Sequence, residues 1–114
     1  MTQDQHNGVT ILTVAGNLSD KEAVAVRQAF ERTRADVAES RPRGGVVVDL
    51  DRCQFISSEG LEALVGGLKK CEEQSISFKL VRLSANCRLI LQLTRLDHCF
   101  DCCDDLPSAL KMMT

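Results

Sequence analysis

Apolar residues along the chain fall into short runs with strand character and longer stretches with helical spacing. Three short runs, residues 9–15, 46–50 and 77–83, are rich in β-branched or alternating apolar residues, which is typical of strands. Two longer stretches, residues 21–38 and 58 to about 74, repeat apolar residues along one helical face. Because strands alternate with helices, we predict an α/β fold with a mostly parallel sheet.

The remaining elements are shorter and are marked by polar residues and proline. We predict that residues 40–45 form a loop and that a third helix runs from residue 84 to about residue 96. A short strand should follow at residues 99–102, and a fourth helix should begin at residue 105. We expect Ser19 or Asp20 to cap the first helix, and Pro107 suits the first turn of the last one. The full set predicts four to five strands and four helices.

The composition predicts one globular domain over residues 1–114, since 44% hydrophobic residues suit a chain with a single core. The formal net charge is −2 and no basic stripe is present, so we expect no direct contact with nucleic acid. The polar start lacks the apolar segment of a signal peptide, and no apolar run approaches membrane-spanning length. We therefore expect a cytoplasmic protein without membrane insertion.

The sequence contains no catalytic constellation that we can identify. His6 and His98 lie near opposite ends of the chain, and nothing in the sequence places either of them beside a nucleophile. The Gly-x-Ser-x-Gly and Gly-Lys-Ser/Thr signatures are absent, and Gly66 and Gly67 lie within a predicted helix. We expect no enzyme activity and no cofactor, and we interpret the two glycines as a site of close packing.

Six cysteines stand out in the composition. Three are scattered, as expected of small core hydrophobes: Cys53, Cys71 and Cys87. Cys99, Cys102 and Cys103 lie close together beside His98, and a C-x-x-C pair with a histidine could hold a soft metal. A closed zinc site usually needs a second such cluster, so we expect structural cysteines and no bound metal. A metal or redox module is the alternative.

The segment from Val46 to Leu61 combines a buried strand, a tight connection and the start of a helix. An apolar pair, Phe55-Ile56, leads into Ser57 and Ser58, which fall in the first turn of the helix. Helix starts present unpaired N–H groups and the positive end of the helix dipole. A serine hydroxyl there can cap the helix, and a phosphate added there would be stabilised.

This segment resembles the signature of the STAS domain, the fold of bacterial anti-sigma factor antagonists. In that family, a strand ending in Asp-Leu is followed by Phe-(Met/Ile)-Asp-Ser-(Ser/Thr/Ala)-Gly-Leu, and the serine after the Asp is the regulatory phosphorylation site. The matching residues are Asp49, Leu50, Phe55, Ile56, Ser58, Gly60 and Leu61. Ser57 stands where the family often has Asp, and Glu59 where it usually has a small residue.

The resemblance runs in order along nearly the whole chain. Val14-Ala-Gly-Asn-Leu-Ser19 is similar to Leu-Thr-Gly-Glu-Leu-Asp, with Ser19 replacing an Asp that lies near the phosphorylated serine in the family. Residues 80–85 are similar to the strand and turn before the third helix. Leu91-Gln-Leu-Thr-Arg-Leu96 is similar to the Leu-x-(Leu/Met)-(Thr/Ser)-Gly-Leu at its end, with Arg95 in place of Gly. The family also implies a short edge strand in the polar residues 1–7.

The resemblance implies an anti-sigma factor antagonist that works by partner switching. Unmodified, it would bind an anti-sigma factor, typically a GHKL-type serine kinase. Phosphorylation of Ser58, with Ser57 as the fallback acceptor, would release that partner, and a serine phosphatase would reset the protein.

The implied contact surface has three segments, which a parallel sheet would place at one edge. They are Gly16, Asn17, Leu18, Ser19 and Asp20; Ser57, Ser58, Glu59, Gly60 and Leu61; and Ser84, Ala85 and Asn86. The alternative is a STAS subunit of a transporter or signalling scaffold, in which the same surface docks permanently and needs no phosphate.

Overall fold

The structure, a computed structural model, describes residues 1–40 and 45–113, and for residues 32–40 it describes the helical backbone alone. The strands are β1 (Thr2–His6), β2 (Val9–Thr13), β3 (Gly45–Asp49), β4 (Ser77–Val81) and β5 (Asp101–Cys103). The helices are α1 (Asp20–Ser40), α2 (Ser58–Glu73), α3 (Ala85–Leu93) and α4 (Leu106–Met113). Five strands and four helices in these residues confirm the predicted architecture. The predicted loop at 40–45 lies largely outside the described residues.

The strands form one sheet in the order β1-β2-β3-β4-β5. β1 runs antiparallel to β2, whereas β2, β3, β4 and β5 are mutually parallel. Thr13, Asp49, Val81 and Cys103 are register partners at the carboxyl ends of the four parallel strands. The chain therefore leaves each of these strands at the same edge of the sheet.

The central strands are covered on both faces. Val46 and Val48 point into the main core, to which α1, α2 and α3 contribute. Val47 points to the opposite face, where it and Val81 pack against Ala109 of α4. All five residues of β3 are buried, which explains its continuous apolar run. Among the described residues, no helix is both long enough and apolar enough to span a membrane.

β1 is joined to β2 by a tight hairpin turn at Asn7 and Gly8, whose φ values are 51° and 84°. Asn-Gly favours this turn because both central positions need positive φ. Every residue of β1 is exposed. The edge strand implied by the family is therefore confirmed, and it shows no apolar alternation because neither of its faces is buried.

α2 and α3 are each followed, two residues after their last helical residue, by a residue in the left-handed conformation: Ser75 with φ 57° and Arg95 with φ 61°. At the end of α3, the N–H of Arg95 donates to the carbonyl of Gln92 at 3.1 Å, and the N–H of Leu96 donates to the carbonyl of Leu91 at 2.8 Å. These two bonds form the Schellman motif, in which glycine is the usual residue. α3 therefore ends before the predicted Leu96, at the turn that Arg95 makes.

Gly67 allows α2 to pack closely against α1. A Cβ atom at position 67 would lie 2.4 Å from ring atoms of Phe30, whereas a Cβ at position 66 would meet no atom within 4 Å. The predicted close packing is confirmed for Gly67 and is wrong for Gly66.

Candidate functional site

Three loops lie side by side at the carboxyl edge of the sheet. They are the β2–α1 loop (residues 14–19), the β3–α2 loop (residues 50–57) and the β4–α3 loop (residues 82–84). Their first residues continue the pairing of the strands: Val14 N–H donates to the Asp49 carbonyl at 3.1 Å, and Leu50 N–H donates to the Val81 carbonyl at 3.0 Å. The structure therefore brings the three predicted contact segments to one edge.

Backbone pairing holds the β2–α1 and β3–α2 loops together. Leu18 and Ile56 form a short parallel bridge. The N–H of Leu18 donates to the carbonyl of Phe55 at 2.9 Å, and the N–H of Ser57 donates to the carbonyl of Leu18 at 3.0 Å. The Leu18 side chain is fully buried, so the two loops form one layer on top of the core.

Gly60 allows α2 to begin directly against Leu18. A Cβ atom at position 60 would lie 2.2 Å from the carbonyl oxygen of Leu18 and 3.0 Å from a methyl carbon of Ile56. Gly60 and Leu18 are both buried. These two members of the predicted contact set therefore lie beneath the surface, where they position the loops.

The two neighbouring serines have different environments. Ser57 is the N-cap of α2: its Oγ accepts a hydrogen bond from Gly60 N–H at 3.1 Å and donates one to the Leu18 carbonyl at 3.3 Å. Ser58 is the first helical residue, is exposed, and makes no side-chain hydrogen bond within the described part of the chain. Capping is therefore the role of Ser57, where the family often has Asp, and the Ser58 hydroxyl remains accessible.

Most of the predicted contact residues do lie on the surface. Asn17, Asp20, Ser58, Glu59, Ala85 and Asn86 are exposed, and Gly16, Ser19, Ser57, Leu61 and Ser84 are partly exposed. Sequence reasoning missed Phe55, whose side chain is 50% exposed just before the two serines. The apolar pair Phe55-Ile56 is visible in the sequence, but only the fold shows that Ile56 is the buried member.

A shallow groove runs along the N-terminal part of α1, beside the first turn of α2. It is lined by Asp20, Lys21, Val24, Ala25, Gln28 and Glu59. Asp20 and Glu59 therefore share one side of the site, next to Val24, which is 44% exposed. Ser19 begins α1 through its backbone, since its carbonyl accepts from Glu22 N–H at 3.0 Å. Within the described residues neither Ser19 nor Asp20 caps α1 with its side chain, so that expectation is wrong.

The β4–α3 loop begins with an ion pair and ends with a helix cap. Arg82, in the left-handed conformation with φ 56°, pairs with the buried carboxylate of Asp49. This hydrogen bond raises the pKa of the Arg82 guanidinium. The Oγ of Ser84 accepts from Cys87 N–H at 3.1 Å, which confirms the predicted cap of the third helix.

The cysteines predicted as core residues are buried: Cys53, Cys71 and Cys87. The Sγ atoms of Cys53 and Cys87 lie 3.8 Å apart, a contact between residues 34 positions apart that spacing alone does not reveal. Cys102 packs against the main core, whereas Cys103 packs on the α4 side of the sheet. The described residues contain no group of three His, Cys, Asp or Glu side chains placed to hold a metal ion. The absence of a bound metal stays a prediction.

Comparison with known proteins agrees with this geometry. The sequence matches the STAS domain family over residues 1–109, and the chain belongs to that family. It is 31% identical over 110 residues to the anti-sigma-F factor antagonist RsfB of Mycobacterium tuberculosis, which covers 96% of this chain and 85% of RsfB.

Two solved structures share the fold. An anti-sigma factor antagonist from Mycobacterium paratuberculosis is 30% identical, with a TM-score of 0.79, and covers 98% of this chain and 91% of that one. An anti-sigma-factor antagonist (STAS) domain protein from Planctomyces limnophilus is 24% identical, with a TM-score of 0.84, and covers 98% and 96%.

Proposed function

We propose that this protein is an anti-sigma factor antagonist that binds its partner when unmodified and releases it when Ser58 is phosphorylated. The observation that carries the proposal is the contrast between the two serines. The hydroxyl of Ser57 is engaged by Gly60 and Leu18, whereas Ser58 presents an exposed hydroxyl on the first residue of α2. The relative RsfB, named as an anti-sigma-F factor antagonist, supports the role.

The fold is compatible with a phosphate on Ser58. The phosphate adds about −1.5 to −2 charges, and the N-terminal end of a helix stabilises negative charge. Because Ser57 is the cap, its bond to Gly60 N–H does not depend on the Ser58 side chain. Asp20, Lys21 and Glu59 line the neighbouring groove, so the phosphate adds its charge next to two carboxylates and one lysine.

In the unmodified state, the partner binds around Phe55. A half-exposed aromatic ring beside polar residues is the kind of anchor that contributes most to protein interfaces. The surface at Gly16 is open to a partner, because a Cβ at this position would meet nothing within 4 Å. Val24 extends the apolar part of the surface along the groove.

Phosphorylation of Ser58 weakens the complex because the partner would have to desolvate a dianion at the centre of the contact. An uncompensated buried charge costs several kcal/mol, and each 1.4 kcal/mol lowers affinity tenfold. The resemblance to the family supports a GHKL-type serine kinase as the anti-sigma partner and a serine phosphatase as the enzyme that resets Ser58.

The binding experiment measures the affinity of the purified cognate anti-sigma factor for Ser58 variants by calorimetry. Ser58→Ala is expected to bind like the wild type, and Ser58→Asp at least about tenfold more weakly. Ser58→Asn is the matched control, because it has the size of Asp without its charge, and it should bind close to the wild type. Equal affinity of all four proteins would contradict the switch.

The phosphorylation experiment locates the modified residue after incubation with the kinase and ATP. Trypsin yields a peptide of residues 53–69 that contains both serines, so fragment ions must separate Ser57 from Ser58. We expect one phosphate on Ser58, and we expect Ser57→Asp, which keeps a capping oxygen, to be modified as well. A phosphate on Ser57 would refute the assignment. No phosphate with the true partner would favour the permanent scaffold.

A further inference from the structure

Two buried thiols lie directly beneath the proposed contact surface. Cys53 belongs to the β3–α2 loop and Cys87 to the first turn of α3, and both are fully buried. Their Sγ atoms are 3.8 Å apart. A disulfide needs about 2.05 Å, so the two Sγ atoms have to move closer together for the bond to form. The third buried cysteine, Cys71, has no hydrogen bond to another thiol in the described residues.

The thiols also hold the β3–α2 loop in its present shape. The Sγ of Cys53 donates to the carbonyl of Phe55 at 3.2 Å, and the Sγ of Cys87 donates to the carbonyl of Cys53 at 3.2 Å. A disulfide has no S–H group, so its formation removes both bonds. Among the described residues, the carbonyl of Phe55 would then accept only from Leu18 N–H.

We propose that Cys53 and Cys87 form an oxidation-sensitive pair that a hydroperoxide converts into an intramolecular disulfide, and that this bond slows phosphorylation of Ser58. The formation of the disulfide is argued from the geometry of the thiols. Its effect on phosphorylation rests on the proposed function, because it adds a second means of regulation at the same surface.

The chemistry balances with one peroxide per pair. The thiolate of Cys87 attacks one oxygen of the hydroperoxide and breaks the O–O bond, which gives a sulfenic acid on Cys87 and, after proton transfer, one water from hydrogen peroxide or one alcohol from an organic hydroperoxide. The thiol of Cys53 then attacks the sulfenic sulfur, which forms the S–S bond and releases one water. The two thiols lose two electrons, and these reduce the peroxide.

The surroundings favour Cys87 as the first thiol to react. Its hydrogen bond with Cys53 and its bonds with Ser84 lower the pKa of the Cys87 thiol against the opposing effect of burial, so Cys87 ionises more readily than Cys53. The pKa of Cys53 is raised by the same hydrogen bond and by burial. Both side chains are fully buried, so a peroxide reaches them through transient opening of the surrounding loops.

The first test maps the bond in a variant that lacks the three outer cysteines, Cys99→Ser, Cys102→Ala and Cys103→Ala. The variant keeps Cys53, Cys87 and the control Cys71, and trypsin separates them into peptides 53–69, 83–88 and 71–79. After hydrogen peroxide, we expect a monomer that has lost two hydrogens, peptides 53–69 and 83–88 linked, and Cys71 still alkylated after unfolding. If the variant does not fold, the same peptide mapping is carried out on the unsubstituted protein.

Free Cys53 and Cys87 after peroxide, or oxidation of Cys71 to the same extent, would overturn the pair. The second test compares phosphorylation of reduced and oxidised protein by the cognate kinase. We expect the rate on Ser58 to fall about fivefold or more on oxidation, to recover with a thiol reductant, and to be insensitive to peroxide in Cys87→Ala.

The outcomes separate the two proposals. A mapped disulfide with an unchanged rate removes the regulatory half and leaves the proposed function intact. A reduced protein that is never phosphorylated removes the proposed function and the regulatory half together, whereas the peptide map still decides whether the thiols react.

Discussion

Arg82 and Asp49 form an ion pair where β3 and β4 both end. The Nε of Arg82 donates to Oδ1 of Asp49 at 3.2 Å, and its Nη2 donates to Oδ2. Asp49 is 2% exposed, and its Oδ1 also accepts from Asp51 N–H at 3.1 Å. The pair therefore joins the β4–α3 loop to the start of the β3–α2 loop.

Removing Arg82 should destabilise the protein, because the carboxylate of Asp49 would stay buried without its cation. We expect Arg82→Ala to lower the free energy of unfolding by about 2–3 kcal/mol, less than for a fully buried pair because Arg82 is half exposed. The double variant Asp49→Ala/Arg82→Ala should lose less than the sum of the single variants in urea unfolding. Strict additivity would show that the pair contributes nothing.

The two serines should affect stability differently. Ser57→Ala removes the cap of α2 and should cost about 1 kcal/mol, whereas Ser58→Ala should change the free energy of unfolding by less than about 0.5 kcal/mol. Ser57→Asp is the control, since a carboxylate can accept the same bond from Gly60 N–H. A larger loss in Ser58→Ala than in Ser57→Ala would mean that the capping roles are reversed.

Gly66 and Gly67 are neighbours in α2, and replacing each of them with alanine should have opposite effects on stability. Gly67→Ala should destabilise by about 1–3 kcal/mol, because its methyl group would collide with Phe30, which is buried and stacked on Phe78 at 5.3 Å between ring centroids. Gly66→Ala should stabilise by about 0.5–1 kcal/mol, since the helix gains a better former in open space. Thermal unfolding of both variants tests the close approach of α1 and α2.

Arg95→Gly should stabilise the protein, although it removes a whole side chain. Arg95 has φ 61° in the Schellman turn after α3, a conformation that costs a side-chain-bearing residue about 1 kcal/mol and glycine very little. We expect a gain of about 0.5–1 kcal/mol in urea unfolding. Gln92→Gly, in an exposed helical position, should instead lose about 1 kcal/mol. A loss in both variants would exclude relief of strain at Arg95.

Metal analysis of the freshly purified protein should find no stoichiometric zinc or iron. Cys102 and Cys103 belong to opposite faces of the sheet, so they cannot converge on one ion while β5 is formed. Burial also raises the pKa of the Cys102 thiol, which disfavours the thiolate that a metal requires. One equivalent of tight metal that is lost in Cys102→Ala would contradict this expectation.

The sequence by itself determined the order of the main elements and the identity of the central motif. Residues 46–48 are apolar without interruption because β3 is covered on both faces, and burial of this kind is visible in the composition of the strand. The cap of α3 at Ser84 was predictable for a similar reason, since capping is a local property. The composition of β1 does not indicate a strand. The local sequence indicates only the tight hairpin turn after it, through Asn7-Gly8.

Only the tertiary structure decided which residues of the motif are buried, which are accessible and which meet. Ser57 and Ser58 are alike in sequence, and the position of Leu18 distinguishes them by engaging only Ser57. Cys53 and Cys87 are 34 positions apart, and they touch because parallel pairing of β3 with β4 brings the segments after both strands to one edge. Such contacts depend on strand register and helix packing, which no local pattern of residues encodes.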